Sequence, residues 1–129
     1  MSRIIVGIVD YGVGNHKSVW RTLKSLGYRC FSSSEPLKLK ECDLLPLPGV
    51  GAFKPAMAAL AAKGLDEFLL NEASRNKPLL GICLGMQLLA SSSREGGATK
   101  GLALLPGDII SLGENTWHIG WNNLNLEKQ

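Results

Sequence analysis

Pro78-Leu79-Leu80-Gly81-Ile82-Cys83-Leu84-Gly85-Met86-Gln87-Leu88-Leu89 (residues 78–89) is the stretch that decides the fold. Proline introduces a short apolar run, Leu79 to Ile82, with the length and composition of a buried strand, and Leu84 to Ser91 reads as a helix. Gly81-Ile82-Cys83-Leu84-Gly85 therefore lies at a sharp strand-to-helix turn and has the form of a nucleophile elbow with cysteine in place of serine. Such a turn strains the backbone of the nucleophile, and side chains two residues before and after would crowd it; glycines at 81 and 85 remove them. A helix amino terminus beside the sulfur favours the thiolate, and the amide of Leu84 would point at an oxyanion formed there. A buried cysteine at an ordinary junction explains the same spacing, since free cysteine packs as a small apolar residue.

Working outward, Ile4 to Val9 is a β-branched run of the kind found in a parallel strand covered on both faces, and Met1 to Val9 is too short and too close to Asp10 for a secretory signal. The loop Asp10-Tyr11-Gly12-Val13-Gly14-Asn15 follows it. Ser18 to Leu26 carries Val19, Leu23 and Leu26 at helical spacing, with Gly27 placed as a carboxy-terminal cap. Tyr28 to Phe31 is a second strand, Ser32-Ser33-Ser34-Glu35-Pro36 a turn, and Asp43 to Leu47 a third strand running into Pro48-Gly49-Val50-Gly51. Pro46 requires that third strand to be short, or residue 46 to end it with its nitrogen turned away from a neighbour. Phe53 to Asn76 is Ala- and Leu-rich helix broken near Gly64. After Ser92 come a loop through Gly97, the segment Leu102 to Leu112 with Pro106-Gly107 as a turn, and a polar tail. Alternating strands and helices predict an α/β fold, a parallel sheet with helices on both faces, and ligands at the carboxyl ends of strands. The loops starting at Asp10, Pro48 and Cys83 are the ones placed there.

With 129 residues, 45% hydrophobic and 19% charged, one compact core is expected. A net charge of +3 with no basic stripe argues against nucleic-acid binding, and no apolar run approaches the roughly 20 residues of a membrane span. Cys30, Cys42 and Cys83 are odd in number and form no CxxC, which points to free thiols in the cytoplasm and to neither a disulfide framework nor a zinc site. Cys30 and Cys42 lack any chemical context and read as packing residues. Gly12-Val13-Gly14 invites a dinucleotide reading, but the third glycine of that fingerprint is replaced by Lys17, and no cofactor is expected.

Taken together, Asp10 to Asn15, Pro48-Gly49-Val50-Gly51-Ala52-Phe53, Gly81 to Leu89 and His118-Ile119-Gly120-Trp121-Asn122 resemble the class I glutamine amidotransferases over nearly the whole chain. More closely, they resemble the glutaminase subunits of imidazole glycerol phosphate synthase in the histidine pathway. The resemblance implies a flavodoxin-like three-layer sandwich with a mainly parallel sheet, residues 1–129 being the amino-terminal portion of the amidotransferase domain. It implies that Cys83 attacks the carboxamide of glutamine to release ammonia and a glutamyl thioester. The oxyanion would sit on the amide of Leu84 and, after the Pro48 to Gly51 segment rearranges, on an amide near Val50 or Gly51. Gln87, one turn past the nucleophile, and Glu95, suited to the α-ammonium group, match substrate-holding positions. Asn15, Trp121 and Asn122 match segments that meet a cyclase subunit of (β/α)8-barrel type in a heterodimer.

Other readings of these residues are an exposed helix residue for Gln87, a solvated loop charge for Glu95 and a core residue for Trp121. A cysteine glutaminase also needs a general base oriented by an acid. The resemblance supplies these as a His-x-Glu pair well beyond the Gly-Trp-Asn block, and neither His16 nor His118 matches it. The expectation is a chain that stops short of its triad, exposes a sheet edge and turns over little glutamine by itself. Two alternatives stand beside it: a docking module without catalysis, or an amidotransferase of another amination pathway. A different Cys-elbow protein of flavodoxin-like shape, chaperone or protease-like, is opposed by Pro48 to Phe53 together with Gln87 and Glu95.

Overall fold

The computed structural model describes residues 3–127, so Met1 and Ser2, at the start of the run read as the first strand, lie outside it. β1 (Ile5–Val9) is followed by α1 (His16–Ser25), β2 (Arg29–Ser33), α2 (Pro36–Leu39), β3 (Leu45–Leu47), α3 (Phe53–Ala62), α4 (Leu65–Ser74) and β4 (Leu79–Gly81). β1 pairs in parallel with β2, Ile5 opposite Arg29, and β3 in parallel with β4, Leu45 opposite Leu79. A parallel bridge from Val6 to Leu44, with Gly7 N donating to Leu44 O at 2.9 Å, sets β3 on the other edge of β1. The resulting order, β2-β1-β3-β4, is that of a flavodoxin-like sheet, whose ligand crevice opens between β1 and β3.

Pro46 explains why β1 and β3 share a single bridge. Leu45 N donates to Pro78 O at 3.1 Å and Leu47 O accepts from Ile82 N at 3.0 Å, so residues 45 and 47 serve β4 and residue 46 faces β1. Proline brings no N–H to that edge, and the ladder stops. Strand and helix ends elsewhere follow local chemistry. Asn15 Oδ1 accepts from Ser18 N at 3.4 Å at the start of α1. Tyr28 N donates to Leu23 O at 3.1 Å around Gly27 at its end.

Three expectations need correction. β2 runs on to Ser33, and Pro36 opens a short helix, α2, in place of a turn; proline suits a first helical position because its missing N–H would have no helical partner there. Next, the helix after Cys83, α5 (Leu84–Leu88), ends before Ser91. Leu89 O and Ala90 O accept amides from Leu104 and Ala103, and Ala90–Ser93 becomes β5, antiparallel to β6 (Thr99–Lys100) and parallel to β7 (Leu105–Ile109). Lastly, Pro106-Gly107 lies inside β7. Ala90 faces Leu105 and Ser92 faces Asp108, so residues 106 and 107 together oppose Ser91 in a bulge that places proline without a break in the strand.

Period two divides the sheet's side chains. Val9, Leu45 and Leu47 point to the core made with Leu39, Phe53, Leu60, Leu65 and Leu69 of α2, α3 and α4. Val6, Ile8, Pro46 and Leu80 take the other face, where α1 buries no residue completely and leaves an apolar cleft of about 300 Å³. Val6, Ile8 and Pro46 are buried on that face, as expected for a sheet with helices on both sides, and only Leu80 at its β4 edge is exposed. Residues 110–127 are exposed and contain no helix or strand. Among the described residues no helix is long and apolar enough to cross a membrane.

Candidate active site

β4 ends at Gly81, and two residues on the chain turns into α5 through Cys83, whose φ of 56° and ψ of −120° are conformations an L-residue adopts only under constraint. Strain of this kind costs on the order of 1–3 kcal/mol and persists where the surroundings enforce it. They do so here. A Cβ on Gly81 would stand 2.6 Å from Met86 Cα, and one on Gly85 would strike the carbonyl oxygen of Leu47. With β4 and α5 pressed this close, the turn has no room to relax, and Cys83 is left exposed at the carboxyl edge of the sheet.

The other two loops close on the elbow. Gly49 O accepts from Leu84 N at 3.3 Å, and a Cβ on Gly49 would stand 2.9 Å from Gly85 N. The Leu84 amide, expected to face an incoming oxyanion, is therefore already engaged. Among the described residues the amides of Val50 and Gly51 donate to no protein acceptor, and Val50 is exposed. Beneath them the buried Tyr11 hydroxyl donates to Pro48 O at 2.6 Å, tying the first loop to the second. Sequence reading assigned Tyr11 nothing; an aromatic hydroxyl inside a Gly-rich loop was the available signal.

Burial pushes the Tyr11 phenol up to about 12 from its ordinary 10.0. The unfolded chain releases that proton near pH 10 and the folded chain near pH 12, so in this window the unfolded state binds fewer protons and stability falls as pH rises. Urea titrations across pH 10 to 12 should lose on the order of 2 kcal/mol from this group, and Tyr11→Phe should remove that part of the slope. An alkaline limb equally steep in both proteins would contradict the assignment.

Beside the elbow, Gln87, Arg94, Glu95, Ile109, Ile110 and Ser111 line a cleft of about 600 Å³. Gln87 stands one turn beyond Cys83 on α5, although Cys83 itself is not in the lining. Glu95 is set by its neighbours: the fully buried Ser93 accepts its amide at Oγ, 3.1 Å away, and Arg94 N donates to Ile109 O at 3.0 Å. The fold thus brings Gln87 and Glu95 together and adds Arg94 and the end of β7, which sequence reading missed because their approach depends on the β5–β7 pairing.

The remaining candidates lie apart. Asn15 caps α1 with the side chain assigned to a partner, while Trp121 and Asn122 are on the exposed tail of the described residues. His118 is on that tail as well, and His16 Nε2 lies 3.7 Å from Asp10 Oδ2. Cys42 is buried and Cys30 half-buried; desolvation pushes both thiols up, opposed by Lys77 at Cys42 and by Lys24 at Cys30.

A parallel β2-β1-β3-β4 sheet with a cysteine elbow at its carboxyl edge defines an α/β protein of nucleophile-elbow type. The chain belongs to the CobB/CobQ-like glutamine amidotransferase domain family, whose model matches residues 13–118. It is similar to the HisH subunits of imidazole glycerol phosphate synthase from Caldanaerobacter subterraneus (44% identical over 126 residues, 96% of this chain and 62% of that one) and Exiguobacterium sibiricum (49% over 122 residues, 93% and 62%). The subunit from Carboxydothermus hydrogenoformans is 48% identical over 119 residues, 91% of this chain and 60% of that one. The chain thus spans about 60% of the length of these curated relatives. A crystal structure of a putative peptidase E protein from Listeria monocytogenes shares the fold, with a TM-score of 0.60 at 16% identity over 70% of this chain and 52% of that one.

Proposed function

We propose that residues 1–129 form the Cys-bearing part of one amidotransferase domain, which frees ammonia from glutamine for a cyclase partner that makes imidazole glycerol phosphate in histidine biosynthesis. The observation that carries this reading is Cys83, exposed and held in a strained elbow one helical turn from a cleft shared by Gln87 and Glu95. Cys83 Sγ attacks the carboxamide carbon of glutamine, and the carbonyl electrons move to oxygen. The amides of Leu84 and of Val50 or Gly51 receive that charge once the Gly49 carbonyl turns away from Leu84. Collapse of the tetrahedral adduct breaks the C–N bond, nitrogen leaves as ammonia with the proton given up by the Cys83 thiol, and water hydrolyses the thioester to glutamate and restores the thiol. Glu95 holds the α-ammonium group and Gln87 the substrate's polar end. Asn15, Trp121 and Asn122 meet the partner, a (β/α)8-barrel cyclase, an arrangement that the exposure of Trp121 supports.

This chain's own residues supply nucleophile, oxyanion donors and substrate clamp, whereas among the described residues neither His16, 3.7 Å from Asp10, nor His118, on the exposed tail, makes a hydrogen bond to Cys83 that would let it act as base. Purified chain should therefore be alkylated faster than it turns over glutamine. Treatment with 6-diazo-5-oxo-L-norleucine, followed by mass spectrometry, should place the adduct on Cys83 and spare Cys30 and Cys42, with a clear preference over iodoacetamide. Equal labelling of the three thiols, or no preference for the glutamine mimic, would sink the reading and leave a docking module.

A further inference from the structure

We propose that Tyr11 is a positioning residue of the site: its hydroxyl clamps Pro48, so that the turn releasing the Leu84 amide is confined to the Gly49–Val50 peptide. The functional sense of the clamp rests on the glutaminase reading, whereas the clamp itself stands on geometry. Two successive carbonyls of the second loop are held very differently. Pro48 O receives a buried phenol at 2.6 Å, and Gly49 O receives the Leu84 amide at 3.3 Å, close to the limit of a hydrogen bond. When the loop moves, the longer bond yields first.

The proline ring fixes φ at residue 48, and Tyr11 fixes the direction of its carbonyl, so rotation can begin only at Gly49. No side chain fits between clamp and elbow there, because a Cβ on Gly49 would come 2.7 Å from the Tyr11 hydroxyl and 3.0 Å from Leu84 Cβ. Beyond it, Val50 is 54% exposed and is not held by packing. The peptide that must turn is thus bounded by a fixed residue on one side and a loose one on the other. Without the phenol, rotation spreads back to Pro48, and the closed contact to Leu84 loses its register.

Hydrogen exchange resolved at single amides of the purified chain tests this. In Tyr11→Phe the Leu84 amide should exchange about tenfold faster relative to Val6 in β1, the loss expected when one buried hydrogen bond is removed from a local opening. Leu60→Val, which lowers stability from α3 without touching the loop, should leave the Leu84-to-Val6 ratio at its parent value. A ratio unchanged in Tyr11→Phe, or shifted equally by Leu60→Val, overturns the clamp. Should Tyr11→Phe not fold, Tyr11→3-fluorotyrosine takes its place with opposite sign: its stronger donor should lower the ratio, and an unchanged ratio again overturns the proposal. Diazoketone labelling of the parent is scored separately. A Leu84 response without selective Cys83 labelling keeps the clamp and discards the glutaminase reading; labelling without the response does the reverse.

Discussion

Gly85→Ala is expected to cost on the order of 4 kcal/mol or more, enough to unfold a marginally stable chain, and to do so from a single methyl group. The added carbon would strike the Leu47 carbonyl oxygen and stand 2.7 Å from Leu47 C. Both are main-chain atoms of a buried strand, and that oxygen already accepts from Ile82 N at 3.0 Å, so no flexible side chain can move aside. Either α5 lifts from β3, which opens the elbow and uncovers Leu84 and Leu88, or β3 leaves β4. Gly12→Ala is the matched control. Gly12 has φ of +83° with nothing within 4 Å of a new Cβ, so only conformational strain of about 1 kcal/mol applies. Urea midpoints of the two variants against the parent decide the point, with iodoacetamide reactivity of Cys83 reporting on the elbow. If Gly85→Ala unfolds at the midpoint of Gly12→Ala, close packing does not set the turn.

The elbow was legible in sequence because its cause is local: two glycines at fixed distance from one cysteine, between an apolar strand and a helix. The break at Gly64, the cap at Gly27 and the short β3 forced by Pro46 were legible for the same reason. What stayed hidden depends on contacts distant in the chain. Nothing near Tyr11 announces a carbonyl 37 residues on, and nothing in Pro48-Gly49-Val50-Gly51 says that Gly49 O will occupy the Leu84 amide. Leu89 to Ser91 continues the apolar helix pattern, yet Ala90–Ser93 becomes β5 because β6 and β7 offer it partners on both edges. Pro106-Gly107 has the chemistry of a turn, yet a bulge carries it within β7. Gln87 and Glu95 were paired by family resemblance alone, and the cleft that joins them depends on that same β5–β7 pairing.

Glu72→Ala should cost about 3 kcal/mol while leaving the alkylation chemistry of Cys83 unchanged, which separates stability from site. Glu72 is 4% exposed, and its Oε2 lies 2.7 Å from Lys77 Nζ, itself mostly buried. Lys77 Nζ also donates to Lys40 O at 2.6 Å, and Lys77 N donates to Glu72 O at 3.0 Å. One ion pair thus ties the end of α4, the entry to β4 and the α2–β3 connection at the end of the sheet opposite the elbow. Removing the carboxylate leaves an ammonium short of water and without its counter-charge, a loss larger than the net worth of the intact pair. Replacing both members, as Glu72→Leu with Lys77→Met, removes the stranded charge and should recover most of the loss, since Lys40 is at the surface and its carbonyl can turn to water. Denaturant midpoints of the single and double variants, read beside the Cys83 alkylation rate at low urea, give the result. A double variant no more stable than Glu72→Ala would show that the fold depends on the specific geometry of the Lys77 ammonium. A changed alkylation rate in either variant would show that the two ends of the sheet are coupled after all.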